Sequence, residues 1–391
     1  MRIAHLADAH LGFRQFQRLD ADGVNQREMD VSLAFQRAVD QVVARRPDAV
    51  VIAGDLFHTV RPTNRAIIQA FTQLARLRHD LPGAPVVLIA GNHDTPRSIE
   101  SGSILRLMTS IGVDVVDADT RTIDYPLLGL AVHAVPHAAL LRERPEFGFR
   151  PSGSARHNVL VMHPEIAGLF PEVMDYGGAR VEAAALHSTE WSYVALGHYH
   201  VVKEVAPRAW YAGSLEYTSP NLWGEVPQEH HGIAKCWLLA DLATGQVETV
   251  ALAPGRRIFD LEPLDAEGLT AKELDAAIAG RVGGVAGGIA DAVVRLVVRN
   301  VPRSLGIALD HKALRACKAA ALHFQLDLRR PEPFPRTEAS GAPGRRELLV
   351  EVVERFLQGR PLDADLDRER FVALGRDAID AVERELREGG A

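Results

Sequence analysis

The chain has 391 residues, 47% of them hydrophobic and 24% charged, with a formal net charge of -7. That length predicts two or three domains, and the composition is that of a folded globular protein rather than a disordered one. An acidic balance excludes a simple basic coat for nucleic acid, yet leaves DNA open as a substrate wherever bound cations supply local positive charge.

No apolar run approaches the roughly 18 residues that span a bilayer, so no membrane partner is expected. The opening MRIAHLADAHLG lacks the cationic start and long apolar core of a signal peptide. Cys236 and Cys317 are the only cysteines. They write no disulfide framework and fit a reducing cytoplasm.

Residues 3–7 read as a strand, and residues 28–45 as a helix with Leu33, Ala34, Ala38, Val42 and Val43 at helical spacing. Residues 49–53 (AVVIA) form a buried-type strand, 67–77 a helix, and 86–90 (VVLIA) another strand. Residues 159–162 and 193–196 are later strands of the same core. This alternation predicts an α/β sandwich with a substantially buried sheet. Near Ala253-Pro254-Gly255 the pattern changes. Strands at 259–264, 292–298 and 323–328 alternate with helices at 270–282 and 310–320, a small β-α-β-α-β domain. Thr270 caps the first of these helices, with Glu273 completing a capping box.

Residues 331–344 (PEPFPRTEASGAPG) have the composition of a linker. Beyond it, Leu348, Leu349, Val352, Val353, Phe356 and Leu357 share one helical face, and Phe371, Leu374, Ile379, Val382 and Leu386 share a second. Two such short helices are marginal alone. They dock either on their own domain or on the helices of a partner. The expected division is therefore 1–255, 256–330, a linker at 331–344 and a helical segment at 345–391.

Strand after strand ends in a metal-ligand side chain. The run 3–7 leads into Asp8 and His10, and 49–53 into Gly54-Asp55. The run 86–90 leads into Gly91-Asn92-His93-Asp94, 159–162 into His163, and 193–196 into Gly197-His198-Tyr199-His200. Carboxyl ends of strands are the usual ligand crevice of α/β sheets. Residues two apart on an extended segment point the same way, so Asp8 with His10, and His198 with His200, can grip shared ions. The glycines let the backbone turn sharply, and a carboxylate such as Asp55 has two oxygens with which to bridge two cations. His5 reads as a packed or hydrogen-bonded histidine, and His133, His137 and His187 stay unassigned.

These five motifs, in this order, resemble the calcineurin-like metallophosphoesterases. HLADAHLG, IAGDLFH, GNHD and ALGHYH, with the segment Tyr211-Ala212-Gly213-Ser214-Leu215-Glu216-Tyr217, resemble the SbcD-type DNA exonucleases of double-strand-break repair. The motif match covers residues 1–255; over 256–391 it is architectural only. The resemblance implies an α/β fold: a metallophosphoesterase β-sandwich flanked by helices, with a small α+β capping domain and C-terminal helices. It implies that Asp8, His10 and His200 hold a first metal, that Asn92, His163 and His198 hold a second, and that Asp55 bridges them. His93 is then the acid near the leaving oxygen, with His58 holding the phosphate or orienting His93. Phosphoprotein phosphatases carry an aspartate where this chain has His58, so that position favours a nuclease.

The reaction expected is metal-dependent hydrolysis of DNA phosphodiesters at double-strand ends, 3′–5′ exonucleolytic, with endonuclease activity left open. The mixed carboxylate, imidazole and amide donors suit Mn²⁺ or Fe²⁺, with Zn²⁺ as an alternative, and the resemblance favours Mn²⁺. Arg14, Arg18, Arg61, Arg65 and Arg97 follow the motif strands and read either as a rim for backbone phosphates or as solvated side chains. The resemblance further implies a homodimer, with 98–110 and the helix before Arg45 as candidate surfaces. It also implies an SMC-like ATPase of the SbcC type gripped by the C-terminal helices. Two other readings compete: a phosphodiesterase or phosphatase for small molecules or phosphoproteins, and a DNA-tethering scaffold with a vestigial site.

Overall fold

The computed structural model describes residues 1–96, 102–142, 150–151, 155–169, 178–219, 221–226, 235–253, 255–331, 349–360 and 367–388, without side chains at 349–352 and 380–388. The chain forms two compact units, Met1–Pro331 and Glu332–Ala391.

The first unit opens with β1 (Arg2–Leu6), α1 (Gln26–Arg45), β2 (Ala49–Ile52), α2 (Asn64–Asp80), β3 (Val86–Ile89) and β4 (Asp114–Val116). The Asn25 side chain caps α1 by accepting from the Arg27 N–H, and the Thr63 side chain caps α2 from Ala66. The chain then builds a second sheet from β5 (Arg121–Tyr125), β6 (Leu130–Val135) and β7 (His157–Met162), with the short helix α3 (His137–Arg142) after β6. A small pair, β8 (Pro164–Ile166) and β9 (Ala179–Val181), precedes β10 (Tyr193–Leu196), β11 (Lys203–Ala206) and β12 (Ala209–Tyr211). The chain returns to the first sheet with β13 (Lys235–Asp241) and β14 (Val247–Leu252).

Two six-stranded sheets result, ordered β14-β13-β1-β2-β3-β4 and β11-β12-β10-β7-β6-β5. Their central strands run parallel, while β13 and β14 on one side and β5 and β11 on the other pair antiparallel. The alternation of a strand assigns each residue its layer. Ile3, Val51, Val87 and Ile89 meet Val132, Val159, Val161 and Ala195 between the sheets. Ala4, Leu6, Val50, Ile52 and Leu88 face the other way, onto Val31, Phe35, Ala38 and Val42 of α1 and Leu74 of α2. Each of the larger side chains among these stabilises by about 1.5–3 kcal/mol when buried, so the packed face fixes α1 far more than helix propensity does. Leu33 departs from expectation: it is 38% exposed and flanks Met29 on the outer side. The five apolar runs that end in ligand residues therefore come from two facing sheets, not from one.

The small sheet follows: β15 (Ile258–Asp265), α4 (Ala271–Gly283), β16 (Val293–Arg299), α5 (Arg303–Ile307), α6 (His311–Ala320) and β17 (His323–Leu328), all strands parallel. Thr270 and Glu273 make the expected capping box, while α5 has no counterpart in the sequence reading. This part keeps its own core, around Leu274, Ile278, Leu296 and Val298. The segment 332–344 lies outside the described residues.

In the second unit α7 (Leu349–Gln358) packs on α8 (Arg368–Glu388). The Arg368 guanidinium donates to the carbonyls of Gln358 at 2.7 Å and Arg360 at 2.9 Å, closing the end of α7. Among the described residues no helix is long and apolar enough to cross a membrane.

Candidate metal centre

The strands stop just short of the ligand residues, and the backbone beyond them is bent. Asp8, His10, Asp55 and His198 have φ of 50°, 47°, 51° and 107°. Such conformations cost about 1–3 kcal/mol each in residues other than glycine, and persist where the surroundings over-determine them. Here the loops after β1 and β2 are stitched together: Asp8 N donates to Gly54 O at 3.1 Å, His10 N to Asp55 O at 2.9 Å and Leu11 N to Leu56 O at 2.9 Å. The shared aim of Asp8 and His10 thus comes from a left-handed turn, not from the extended alternation the sequence implied. The glycines also divide. Gly54 has φ +93°, whereas Gly91 and Gly197 are needed for space, since a Cβ would strike the Asp55 carboxylate and the Ala53 carbonyl respectively.

All seven proposed ligands converge. Ligand atoms of Asp8, His10 and His200 lie within 4.8 Å of one another, as do those of Asp8, Asp55 and His163. His163 Nε2 stands 3.3 Å from Asp55 Oδ2 and 3.1 Å from Asn92 Oδ1, and His198 Nδ1 lies 3.2 Å from the same amide oxygen. His10 Nε2 is 3.0 Å from His200 Nε2 and 3.7 Å from Asp55 Oδ2. Asp55 is central: Oδ1 accepts from the His93 N–H at 2.9 Å, while Oδ2 faces His10 and His163. The His163 Nδ1 lies 2.7 Å from Ala53 O, which can only accept, so Nδ1 is the donor and Nε2 is the nitrogen turned inward.

The electrostatics follow from burying two carboxylates among imidazoles. Burial lifts the Asp8 carboxyl to about 6, against the pull of His163 and His200. Burial opposes ionisation of Asp55 too, but His163 prevails and leaves it well below the usual carboxylate range. Burial alone would discharge His163; the Asp55 carboxylate raises it to about 9. The negative charge that holds a proton on His163 is the charge a divalent cation would meet. Carboxylate, imidazole and amide donors without a thiolate are a fitting set for such an ion.

His93 and His58 sit beside this group, rings 5.1 Å apart and nearly parallel. The His93 Nδ1 donates to the main-chain carbonyl of His58 at 2.7 Å, which leaves Nε2 as the nitrogen that takes up or gives a second proton, as the imidazolium. The backbone of His58, rather than its imidazole, orients His93. The His58 ring instead approaches His10, Nδ1 to Nδ1, at 3.3 Å.

Two residues at the rim had no role assigned from sequence. The buried Asp94 accepts from the backbone N–H groups of Leu56 and Phe57, both at 3.0 Å, and of Gly91 at 3.3 Å, bracing one ligand loop against another. His137, the first residue of α3, lies against His163; burial and that neighbour press it down to about 4. Its signal was a histidine just past the apolar run of β6, as in the other motif strands. His5 is packed as expected, 3.0 Å from the Tyr193 hydroxyl.

The arginines behave unequally. Arg18 reaches the carbonyl of Ala321 at 2.8 Å and so ties its loop to the small sheet's end. Arg14 pairs with the buried Glu28 at 2.7 Å, and Arg65 approaches Met29 Sδ at 3.5 Å. Arg61 is exposed; Arg97 lies outside the described residues.

A rim of strand-end aspartates and histidines between two facing sheets fits a metal-dependent phosphoesterase. Residues 1–202 match the family model described as calcineurin-like phosphoesterase, just over half of the 391-residue chain, and the chain belongs to that family. It is similar to the DNA double-strand break repair protein Mre11 of Methanocaldococcus jannaschii, with 26% identity over 277 residues, 68% of this chain and 67% of that one. The protein of the same description from Sulfurisphaera tokodaii is 29% identical over 202 residues, 51% of this chain and 49% of its own length. That from Methanococcus maripaludis is 36% identical over 111 residues, 28% of either chain. The chain thus spans about two thirds of the first of these and half or less of the other two. Among solved structures, the Pseudomonas putida nuclease MPE shares 18% identity over 62% of this chain and 85% of its own, at a TM-score of 0.25, too low to argue from shape.

Proposed function

We propose that this chain is a metal-dependent DNA nuclease of the SbcD type, hydrolysing phosphodiester bonds at double-strand ends in break repair. The observation that carries the reading is the convergence of Asp8, His10, Asp55, Asn92, His163, His198 and His200 on one buried rim, with His93 beside it. The relatives' description as double-strand break repair proteins supports the choice of DNA over other phosphoesters.

Asp8, His10 and His200 would hold one divalent ion and Asn92, His163 and His198 another, with Asp55 between them; Mn²⁺ is the first choice, then Fe²⁺ or Zn²⁺. Bound there, such ions supply charge neutralisation at the phosphate and a more acidic water. The protein's own part is positional. Asp55 holds the His93 main chain through Oδ1 while its other oxygen faces the ligand histidines. His93, its ring fixed by the His58 carbonyl, presents Nε2 to protonate the leaving 3′ oxygen. Arg14 and Arg61, in the loops that follow β1 and β2, are candidates for backbone phosphates, while Arg18 serves the contact with the small sheet.

Residues 256–330 act in this reading as a DNA-facing cap, and α7 and α8 as the grip for an SMC-like ATPase. Homodimerisation would use the outer face of α1, where Met29 and Leu33 are exposed, and the 3₁₀ turn Ile104–Ile111, where Leu107 is 42% exposed. Residues 98–101 of the expected dimer surface lie outside the described residues.

Mn²⁺-dependent digestion of end-labelled linear duplex DNA, run beside a cyclic nucleotide and an aryl phosphate, tests the reading. DNA should be the preferred substrate, and His93→Ala should lower its turnover by about 10²–10⁴-fold, the usual contribution of a general acid, with metal content unchanged. Preference for either small phosphoester would replace the nuclease reading with a phosphodiesterase or phosphatase. A metal-loaded chain inert towards all three would favour the scaffold.

A further inference from the structure

The outward nitrogen of His200, one of the proposed ligands, meets a charged side chain. Its Nδ1 faces Glu225 Oε1 at 3.2 Å, and the Thr218 hydroxyl stands 3.4 Å away. Glu225 is itself enclosed, its side chain 7% exposed. Its Oε1 also accepts the Ser219 N–H at 2.8 Å, and its Oε2 takes the Lys235 ammonium at 2.5 Å. Lys235 is buried as well, and donates further to Ser214 Oγ at 2.6 Å and to the main-chain carbonyl of His200 at 3.1 Å. The three acceptors around this buried lysine take all three N–H groups of an ammonium, and Glu225 is the one that carries charge.

We propose that Glu225 is a positioning residue for His200: it holds the proton on Nδ1 and thereby keeps Nε2 as a lone pair aimed at the ion bound with Asp8 and His10. The inference rests on the metal reading above. A neutral imidazole carries its proton on one nitrogen only, and the partner of the outer nitrogen decides which. Without Glu225, either nitrogen of His200 can carry it, and the form with the proton on Nε2 cannot ligate.

The turn that carries Glu225 is also keyed to the small sheet. Two residues earlier, the Trp223 indole N–H donates to Gln325 Oε1 at 3.1 Å on β17, and the Arg295 guanidinium of β16 lies 4.7 Å from its ring centroid. Leu222 packs with Tyr217, Val293 and Leu322 in a cluster shared by both parts. One face of the 3₁₀ turn Leu222–Gly224 therefore seats on the small sheet, and Glu225 directly after it touches the ligand histidine. The small sheet thus helps to complete the metal site at a distance, through the Trp223 contact and Glu225.

The isosteric Glu225→Gln is the sharpest probe. Lys235 will claim the amide oxygen, which turns the amide NH₂ towards His200 Nδ1 and demands a lone pair there. The proton then moves to Nε2, the wrong nitrogen. Titration of the full chain with Mn²⁺ by calorimetry should show two sites in the unaltered protein. In Glu225→Gln one site should weaken by about 10–100-fold, the usual effect of losing a ligand's orienting partner, while the other is unchanged. Trp223→Ala, remote from the ligands, should weaken the same site by less. Unchanged affinity at both sites of Glu225→Gln, or an equal fall at both, would overturn the inference while leaving the metal reading intact. No Mn²⁺ binding by the unaltered chain would overturn both. Retained Mn²⁺ affinity in a folded Trp223→Ala would remove the link to the small sheet.

Discussion

The rim between the sheets and the helical hairpin of the second unit are held together by opposite means. At the rim, one carboxylate, Asp55, accepts a backbone N–H from His93 and faces His10 and His163, and Asp8, His10, Asp55, His163 and His198 are buried. In the hairpin, α7 and α8 meet each other, yet Phe356 remains 56% and Leu374 70% exposed. A surface with dense buried polar contacts is specified by its own chain. Large apolar side chains left open on a short hairpin mark a surface whose specification is incomplete without something else.

Asp55→Asn should break the rim most severely. The substitution removes the charge between the two proposed ion sites, so bound metal, measured by elemental analysis, and Mn²⁺-dependent DNA hydrolysis should both fall to background. Full metal content in that variant would deny Asp55 its bridging place. A smaller effect is expected at Asp94, whose two oxygens serve three backbone donors of the Leu56 and Gly91 loops. Asp94→Asn replaces one acceptor oxygen by a donor amide and leaves a buried N–H unsatisfied, a loss of about 1–3 kcal/mol read by urea unfolding. A variant as stable as the parent would show that those loops are held by other contacts.

Smaller again is a pH effect from His5, behind the rim on β1. Burial lowers its pKa from 6.5 to about 3, with a backbone hydrogen bond from the Leu196 side opposing only in part. The unfolded chain takes up a proton near 6.5, while the folded one refuses it until about 3. The stabilisation is therefore complete above 6.5 and is lost as pH falls towards 3, at a slope of at most about 1.4 kcal/mol per pH unit from this group. His5→Leu should flatten the dependence of unfolding free energy on pH in that window; an unaltered slope would mean that His5 is protonated in the folded state.

The same contrast explains what could be read from the sequence. Every ligand followed an apolar run, because parallel strands buried on both faces write themselves as unbroken hydrophobic stretches and end where polar residues begin. Ile3, Val51, Val87 and Val159 marked the sandwich, and Thr270 with Glu273 marked the start of α4. The backbone at Asp8, Asp55 and His198 was not legible, since aspartate and histidine in a positive-φ turn are set by contacts to distant segments. Long-range pairing hid β13, which follows β12 in sequence but lies beside β1 in space. The same separation hid Glu225 and Lys235, which show no motif and meet His200 only after the second sheet has formed. In the hairpin, helical periodicity grouped Leu374 with Phe371 and Ile379, yet Leu374 points outward because the contact with α7 uses the neighbouring face. There a Cβ on Gly375 would run into the Leu357 side chain, so the two helices pack closely at that glycine.

Leu374 therefore gives the finest test of the contrast. A residue already 70% exposed gains little from folding, so Leu374→Asp should change stability by no more than about 0.5 kcal/mol, within the usual range for surface substitutions. It should leave Mn²⁺ binding and DNA hydrolysis untouched, because none of the proposed ligands belongs to α8. In the proposed complex with an SMC-like ATPase, however, the same change places a charge in an apolar interface, where burying an unpaired carboxylate is costly. Co-purification of the two chains, followed by size-exclusion chromatography, should show the complex lost with the nuclease intact. If instead the variant unfolds at lower urea concentration, Leu374 is covered by its own chain, and the hairpin belongs with the self-sufficient half of the molecule.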